Sequence, residues 1–344
     1  MNPMIMFMLL SNLAIGVIIT ATSFHWFLAW IGLELNTLAI IPILAKQHHP
    51  RATEAATKYF IIQATASSII LFSSTFNAWF TGTWDITQLS TFSATMMLTI
   101  ALTMKLGLAP MHFWLPEVMQ GISLTSALII TTWQKLPPMI LLYLTAPYLP
   151  IPILLILAIT STLVGGWSGL NQTQMRKIMA YSSIAHLGWM AAILCLSQNL
   201  LIFTLIIYIL MTTSLFMTLI SSSSKTAKDL GQLWPSSPTI TTTSLATLIS
   251  LGGLPPLIGF LPKWLILKEL TASHLVTLAI IIALSSLLSL MFYMRLTYTT
   301  TLTISPNTTN SMMKWRFNSM KPLNMVPTIS MLLILTPLLP LISP

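Results

Sequence analysis

Long apolar runs follow one another along almost the whole chain, separated by short polar connections. Each is close to the twenty or so residues that a helix needs to cross a bilayer. The runs cover residues 3–21, 24–45, 56–80, 91–119, 123–146, 150–171, 176–197, 199–222, 239–268, 274–300 and 324–342, which predicts about eleven transmembrane helices. The longest polar stretch, Thr301 to Lys321, is too short to hold a core of its own, so no soluble domain is expected. Two runs are interrupted. Lys105 to Glu117 reads KLGLAPMHFWLPE and Gly252 to Lys263 reads GGLPPLIGFLPK. Gly107, Pro110, Pro116 and Glu117 of the first answer Gly253, Pro256, Pro262 and Lys263 of the second. A helix broken by Gly and Pro frees backbone groups that lipid cannot satisfy, so such breaks survive only inside protein or beside a water-filled cavity.

Charge gives the runs a direction. Assigning connections alternately to the two faces of a membrane puts Lys46, Arg51, Lys58, Arg176, Lys177, Lys225, Lys228, Arg295, Lys314, Arg316 and Lys321 on one face, against Glu54 and Asp229. The other face carries Lys268 beside Glu269, and Asp85. The positive-inside rule then places the N-terminus inside and, with an odd number of spans, the C-terminus outside. On this count the broken fourth and ninth spans run in opposite directions. A second echo agrees, since Tyr59 precedes Pro110 by 51 residues and Tyr208 precedes Pro256 by 48. The expected architecture is therefore an all-α polytopic membrane protein with two inverted five-helix repeats, residues 1–148 and 149–300, each with a discontinuous helix. Residues 301–344 add an inner-side loop and a C-terminal transmembrane helix. Inverted repeats with helices broken at matching positions are a transporter architecture, with the ion site at the break.

Composition agrees and removes other classes. Of 344 residues, 55% are hydrophobic and 6% charged, with a mean hydropathy of +0.84; a soluble surface needs about a quarter charged residues. The formal net charge of +9 lies in connections between apolar runs, which is an orientation signal and not a nucleic-acid footprint. A single cysteine, Cys195, excludes a disulfide within the chain, and no cluster of thiols is present for zinc or iron-sulfur binding. No metal is expected. The opening MNPMIMFMLL has neither a cleavable signal nor an Arg-rich presequence, so the first run is expected to be a retained helix.

Four ionisable residues lie deep in apolar surroundings: Glu34 (WIGLELN), Lys105 (LTMKLGLAP), Lys135 (TTWQKLPP) and Lys263 (FLPKW). Each costs roughly 2.5 to 3.5 kcal/mol at a helix centre on insertion scales. Snorkelling to an interface is the bland alternative, but three of the four sit at or near a Pro or Gly break. Lys105 ends the first half of the broken fourth span, where free carbonyls and the half-helix dipole favour a cation while burial disfavours it. Those opposing pressures suit a lysine that switches charge. Glu34 is the nearby acid at comparable depth and is expected to act as its counter-ion. Lys135 and Lys263 extend the set into a chain of lysines, spaced by water, that passes protons between two half-channels. Glu117 is a candidate for proton entry or a plain interfacial charge. His186 and His112 are embedded and could bridge lysines, although a hydrogen-bonded core histidine is an equal reading; His48 and His49 read as solvated loop residues. Gly165, Gly166 and Gly169 read as a close helix contact, and the Asn307 sequon has no force without a secretory route.

The segments HWFLAWIGLELNTLAIIP, LTMKLGLAPMHFWLPEVMQG, TTWQKLPP and MRKIMAYSSIAHLGWM together resemble the mitochondrially encoded chain 2 family of NADH–ubiquinone oxidoreductase, of vertebrate type. It is one of the antiporter-like subunits of respiratory complex I, related to bacterial cation/proton antiporters. The resemblance implies two inverted five-helix bundles and a mid-membrane line of charged residues, onto which Glu34, Lys105, Lys135 and Lys263 map as the proton pathway. It further implies a subunit of the proton-translocating NADH:ubiquinone reductase without a cofactor of its own, with FMN, iron-sulfur clusters and ubiquinone belonging to other subunits. The implied location is the mitochondrial inner membrane, with the N-terminus in the matrix and the C-terminus in the intermembrane space. The implied partners are membrane lipids, neighbouring antiporter-like and other membrane-arm subunits, and accessory subunits, with no nucleic acid. Bacterial relatives carry three further helices at the start, so accessory subunits are expected to cover the flank of the first repeat. A stand-alone cation/proton antiporter is the rival reading, and a purely structural subunit the third.

Overall fold

The computed structural model describes residues 2–194, 196–234, 237–255 and 257–302. Among these residues the structure is helical, with only isolated bridges at His25–Asp85 and Gln174–Thr226. The helices are α1 (Pro3–Thr22), α2 (Trp26–Leu44), α3 (Pro50–Thr81), α4 (Phe92–Leu106), α5 (Trp114–Gly121), α6 (Leu124–Thr131), α7 (Leu136–Thr145), α8 (Ile151–Gly169), α9 (Met175–Ile193), α10 (Gln198–Ser222), α11 (Ala227–Gly231), α12 (Pro238–Gly252), α13 (Phe260–Ala272) and α14 (Val276–Thr301). Among the described residues, seven helical segments are long and apolar enough to cross a membrane: α1, Trp26–Gln47, α3, Leu124–Tyr148, α8, α10 and α14. The runs expected at 91–119 and 239–268 are the helix pairs α4/α5 and α12/α13, and the run at 176–197 is α9. The run at 324–342, the charges Lys314, Arg316 and Lys321, Asn307, Cys195 and Pro256 lie outside the described residues.

Local chemistry sets the helix ends. α3 starts earlier than its apolar run because Pro50 fits the first helical position and the His49 ring accepts the Arg51 N–H at 3.2 Å. At 32 residues α3 is about 48 Å long, well beyond the hydrocarbon thickness of about 30 Å. The fifth run is not one helix. Pro137 and Pro138 lack the N–H groups that would bond the carbonyls of Trp133 and Gln134. α6 therefore stops at Thr131, and a 3₁₀ turn, Trp133–Lys135, joins it to α7.

Two compact units form, one from the described residues of Met1–Ser161 and Leu194–Gln198, the other from those of Thr162–Ile193 and Asn199–Pro344. In the first, α1 packs on α2 through glycine: a Cβ on Gly16 would meet the Asn36 side chain at 2.8 Å, and one on Gly32 the Thr20 methyl at 2.6 Å. In the second, the expected glycine contact is present. A Cβ on Gly165 would fall 2.7 Å from the Ala185 nitrogen of α9, and one on Gly166 2.7 Å from the Leu288 Cβ of α14. Small residues let helices approach where lipid supplies no hydrophobic drive between them. The largest buried side chains include Trp26, Tyr59, Phe216, Phe292 and Tyr293.

Candidate proton-transfer sites at the broken helices

Both breaks open the same way. Gly107 after α4 and Gly253 after α12 are left-handed, with φ of +78° and +80°, a conformation that costs a residue with a Cβ roughly 1–2 kcal/mol. Each ends its helix and leaves terminal carbonyls without amide donors. At α4 the Thr103 oxygen accepts Gly107 N–H (2.9 Å) and Leu108 N–H (3.0 Å), and the Met104 oxygen accepts Gly107 N–H at 3.2 Å. Side chains take the rest. Trp114, the first residue of α5, donates its indole N–H to the Met104 oxygen (3.2 Å), and Gln63 of α3 donates to the Lys105 oxygen (3.4 Å). Lys135 donates its ammonium to the Leu106 oxygen. That ammonium also lies 5.6 Å from the centre of the Trp114 ring, which in turn meets Tyr59 edge-on at 5.7 Å.

The second unit repeats the arrangement with a different supplier. Lys263 of α13 donates its ammonium to the Gly252 oxygen at 2.9 Å, and Gly252 precedes Gly253 as Leu106 precedes Gly107. A lysine thus caps the same carbonyl at both breaks, brought by the 3₁₀ turn of the following span in one unit and by the second half of the broken helix in the other. A charge-assisted hydrogen bond and a half-helix dipole together contribute about 2–5 kcal/mol. That is comparable to the several kcal/mol lost on desolvating an ammonium. The cap therefore offsets much of what burial costs each ammonium.

Lys105, Lys135 and Lys263 are 4%, 2% and 9% exposed. Lys105 has no hydrogen-bond partner for its ammonium among the described residues. Glu34 is half-buried, and its carboxylate is held by hydroxyls: Ser67 of α3 donates to one oxygen and Thr37 to the other at 2.8 Å. No direct ion pair joins Glu34 to Lys105, and the attraction between them acts through space. The expected counter-ion is therefore not in direct contact with Lys105, and its carboxylate rests on two hydroxyls instead.

In the second unit a cavity of about 30 Å³ of water-accessible volume is lined by Lys263, His186, Tyr208, Thr204, Ser250 and apolar neighbours. It has room for about two waters. The His186 ring lies 5.7 Å from that of Tyr208, so His186 is gathered with Lys263 around one cavity. His112 is not gathered with the lysines of its unit: its Nδ1 lies 3.3 Å from the Pro110 oxygen and its ring against Phe113. Glu117 is an exposed partner of Lys58 at 2.9 Å, and Lys58 also pairs with Glu54 at 2.7 Å. No three His, Cys, Asp or Glu side chains gather as a metal site among the described residues.

Residues 23–289 match the family model described as NADH:quinone oxidoreductase/Mrp antiporter, transmembrane. The chain belongs to this antiporter family. Residues 290–343 match a second model, the C-terminus of NADH dehydrogenase subunit 2. Relatives include NADH-ubiquinone oxidoreductase chain 2 of Xenopus laevis, 55% identical over 94% of this chain and 93% of that one. The same-named protein of Oncorhynchus mykiss is 54% identical over 100% of this chain and 99% of its own length. Among solved structures, respiratory complex I from Thermus thermophilus contains a chain that superposes with a TM-score of 0.87 at 27% identity, covering 99% of this chain and 80% of that one.

The antiporter-family match spans both breaks and all of Glu34, Lys105, Lys135, His186 and Lys263. Sequence reasoning missed Ser67, Gln63, Trp114 and Gln134. Thr37 was readable, since three residues after Glu34 it shares a helix face. The Pro137–Pro138 pair likewise signals that Lys135 stands at a third break. Ser67 and Gln63 carry no local signal, because hydroxyls and amides on α3 are frequent and only the packing selects these two.

Proposed function

We infer that this chain is a proton-translocating membrane-arm subunit of respiratory complex I, driven by electron transfer from NADH to ubiquinone elsewhere in the complex. Family membership and the near-full-length relatives support the assignment to the complex. The observation that carries the proton role is the placement of two buried lysines on the carbonyl ends of two broken helices, beside a third with no local partner. In the first unit Glu34, Lys105 and Lys135 hold and pass the proton. In the second, Lys263 does so with His186 and the water that their cavity admits. Glu117 and His112 stand apart from these groups; Glu117 serves as a surface charge near the entry. Redox chemistry and its cofactors belong to other subunits.

The layout that suits this role has eleven spans, with two five-helix repeats of opposite topology over 1–148 and 149–300 and a final segment over 301–344. The loop charges support the matrix side of the mitochondrial inner membrane for the N-terminus and the intermembrane space for the C-terminus. Lipids, neighbouring antiporter-like subunits and accessory subunits cover its apolar faces.

The test measures NADH-driven proton pumping and quinone reduction by the intact complex. Lys105→Ala or Glu34→Gln lowers coupled pumping by about 10-fold or more while the complex still assembles. Undiminished proton stoichiometry in both variants would sink the reading. Sodium or potassium exchange by the purified chain alone in proteoliposomes would replace it with a self-sufficient antiporter.

A further inference from the structure

The three residues of the 3₁₀ turn in the first unit each reach a backbone carbonyl on a different helix. Trp133 donates its indole N–H to the Leu13 oxygen of α1 at 3.1 Å, and Gln134 its side-chain amide to the Asn36 oxygen of α2 at 3.2 Å. Lys135 donates its ammonium to the Leu106 oxygen of α4. Asn36 lies two residues beyond Glu34 on α2, and Leu106 lies one beyond Lys105 on α4. The turn therefore grips, through one short segment, both the helix that carries the acid and the helix that carries the unpartnered lysine.

We propose that Trp133–Lys135 is a coupling turn in which Gln134 is a positioning residue, tying the ammonium of Lys135 to α2 so that a displacement of the Glu34 helix re-aims Lys135 at the end of α4. The inference rests on the proton role proposed above. The Leu106 carbonyl stands at a helix end and lacks an amide donor, whereas those of Leu13 and Asn36 lie mid-helix and accept the side chains as an additional bond; a 3₁₀ turn has few internal bonds to resist a pull from outside. Movement of α2 acts on Gln134 through the Asn36 oxygen, and the next residue in the chain is Lys135. Trp133 fixes the opposite side of the turn to α1, so that the pull rotates the turn instead of translating it. A packing role alone would not require three side chains in succession to end on three different backbones. This role differs from that of the proton carriers themselves, because Gln134 never holds the proton.

The test ranks Gln134 variants in the intact complex, with pumping normalised to assembled complex in the membrane. Gln134→Met has similar length and no donor, and it lowers the pumping rate by about 3- to 10-fold, the range expected for one hydrogen bond. Gln134→His keeps an N–H donor of similar reach and retains most of the rate. Gln134→Glu, near-isosteric and unable to donate when ionised, falls with Met; it takes the place of Met if the methionine variant does not assemble. Adding Gln134→Met to Lys135→Ala produces no further loss, because the amide acts through the lysine. Ranking by size instead of by donor, or a full additional loss in the double variant, overturns the coupling turn. Normal pumping in Lys135→Ala itself removes the underlying proton role, which separates the two failures.

Discussion

Gly107 and Gly253 share a backbone conformation but not its surroundings, and that difference is measurable. A Cβ on Gly253 would stand 2.8 Å from the Lys263 ammonium nitrogen, whereas one on Gly107 meets no ammonium but the Leu115 methyl at 3.2 Å and the Trp114 ring at 3.3 Å. Both Gly→Ala changes carry the left-handed penalty of about 1–2 kcal/mol. Only Gly253→Ala also drives the ammonium off its carbonyl, with loss of a charge-assisted bond worth about 1.5–3 kcal/mol. Gly253→Ala is expected to lower pumping about tenfold or more, and Gly107→Ala to lower the amount of complex with pumping per complex kept within about threefold. Proton flux normalised to assembled complex decides it, and equal effects from the two would show that Lys263 does not depend on the Gly252 carbonyl. At this scale the sequence named the charges but not their partners. Glu34 was legible as a buried acid, while its hold by Ser67 depends on α3 arriving alongside α2.

Among the elements, the short helix α11 shows charge used for structure instead of transfer. Thr226 and Asp229 form a capping box, and the Asp229 carboxylate accepts the backbone N–H groups of Lys225 at 2.9 Å and Thr226 at 2.8 Å. Burial works against the charged form of Asp229, but those backbone bonds outweigh it and hold its pKa below the ordinary 3.8. A depressed carboxylate stabilises the fold above its unfolded value, and that contribution is lost as pH falls through the folded one. The amide-exchange protection factors at Lys225 and Thr226, taken against the intrinsic rate at each pH, are therefore expected to hold down to about pH 4 and to fall below it. Asp229→Ala removes about 1 kcal/mol of local protection already at neutral pH; protection independent of both pH and Asp229 would contradict the cap. The broken helices tell the complementary story. Gly and Pro announced where α4 and α12 end, and Pro137–Pro138 carried the same message for the fifth run. What they could not announce was that the 3₁₀ turn would turn Lys135 back onto α4.

Over the whole molecule, a largely apolar chain sets a few charges in surroundings too poor in polar groups to hold them, and supplies helix ends and small cavities in compensation. The cavity beside Lys263 and His186 is the clearest case, because it has room for about two waters, which would replace some of the hydration an ammonium loses. Thr204→Leu thickens its wall with apolar atoms. It is expected to reduce pumping several-fold, about the effect of losing one hydrogen-bonded water, with the level of assembled complex unchanged. Unaltered pumping in that variant would mean the cavity is idle space. The sequence by itself determined the membrane class, the positions of most apolar helices among the described residues, the two breaks and the identity of the buried charges, because each is written in local composition and in the backbone limits of Gly and Pro. Only the tertiary structure decided which carbonyl each lysine caps, that Glu34 rests on hydroxyls, and that the cap of the first break comes from the following span while the second break supplies its own. The reason is physical: a helix end advertises unpaired carbonyls to every side chain within a few ångströms, and which side chain arrives there is settled by packing between segments far apart in the chain.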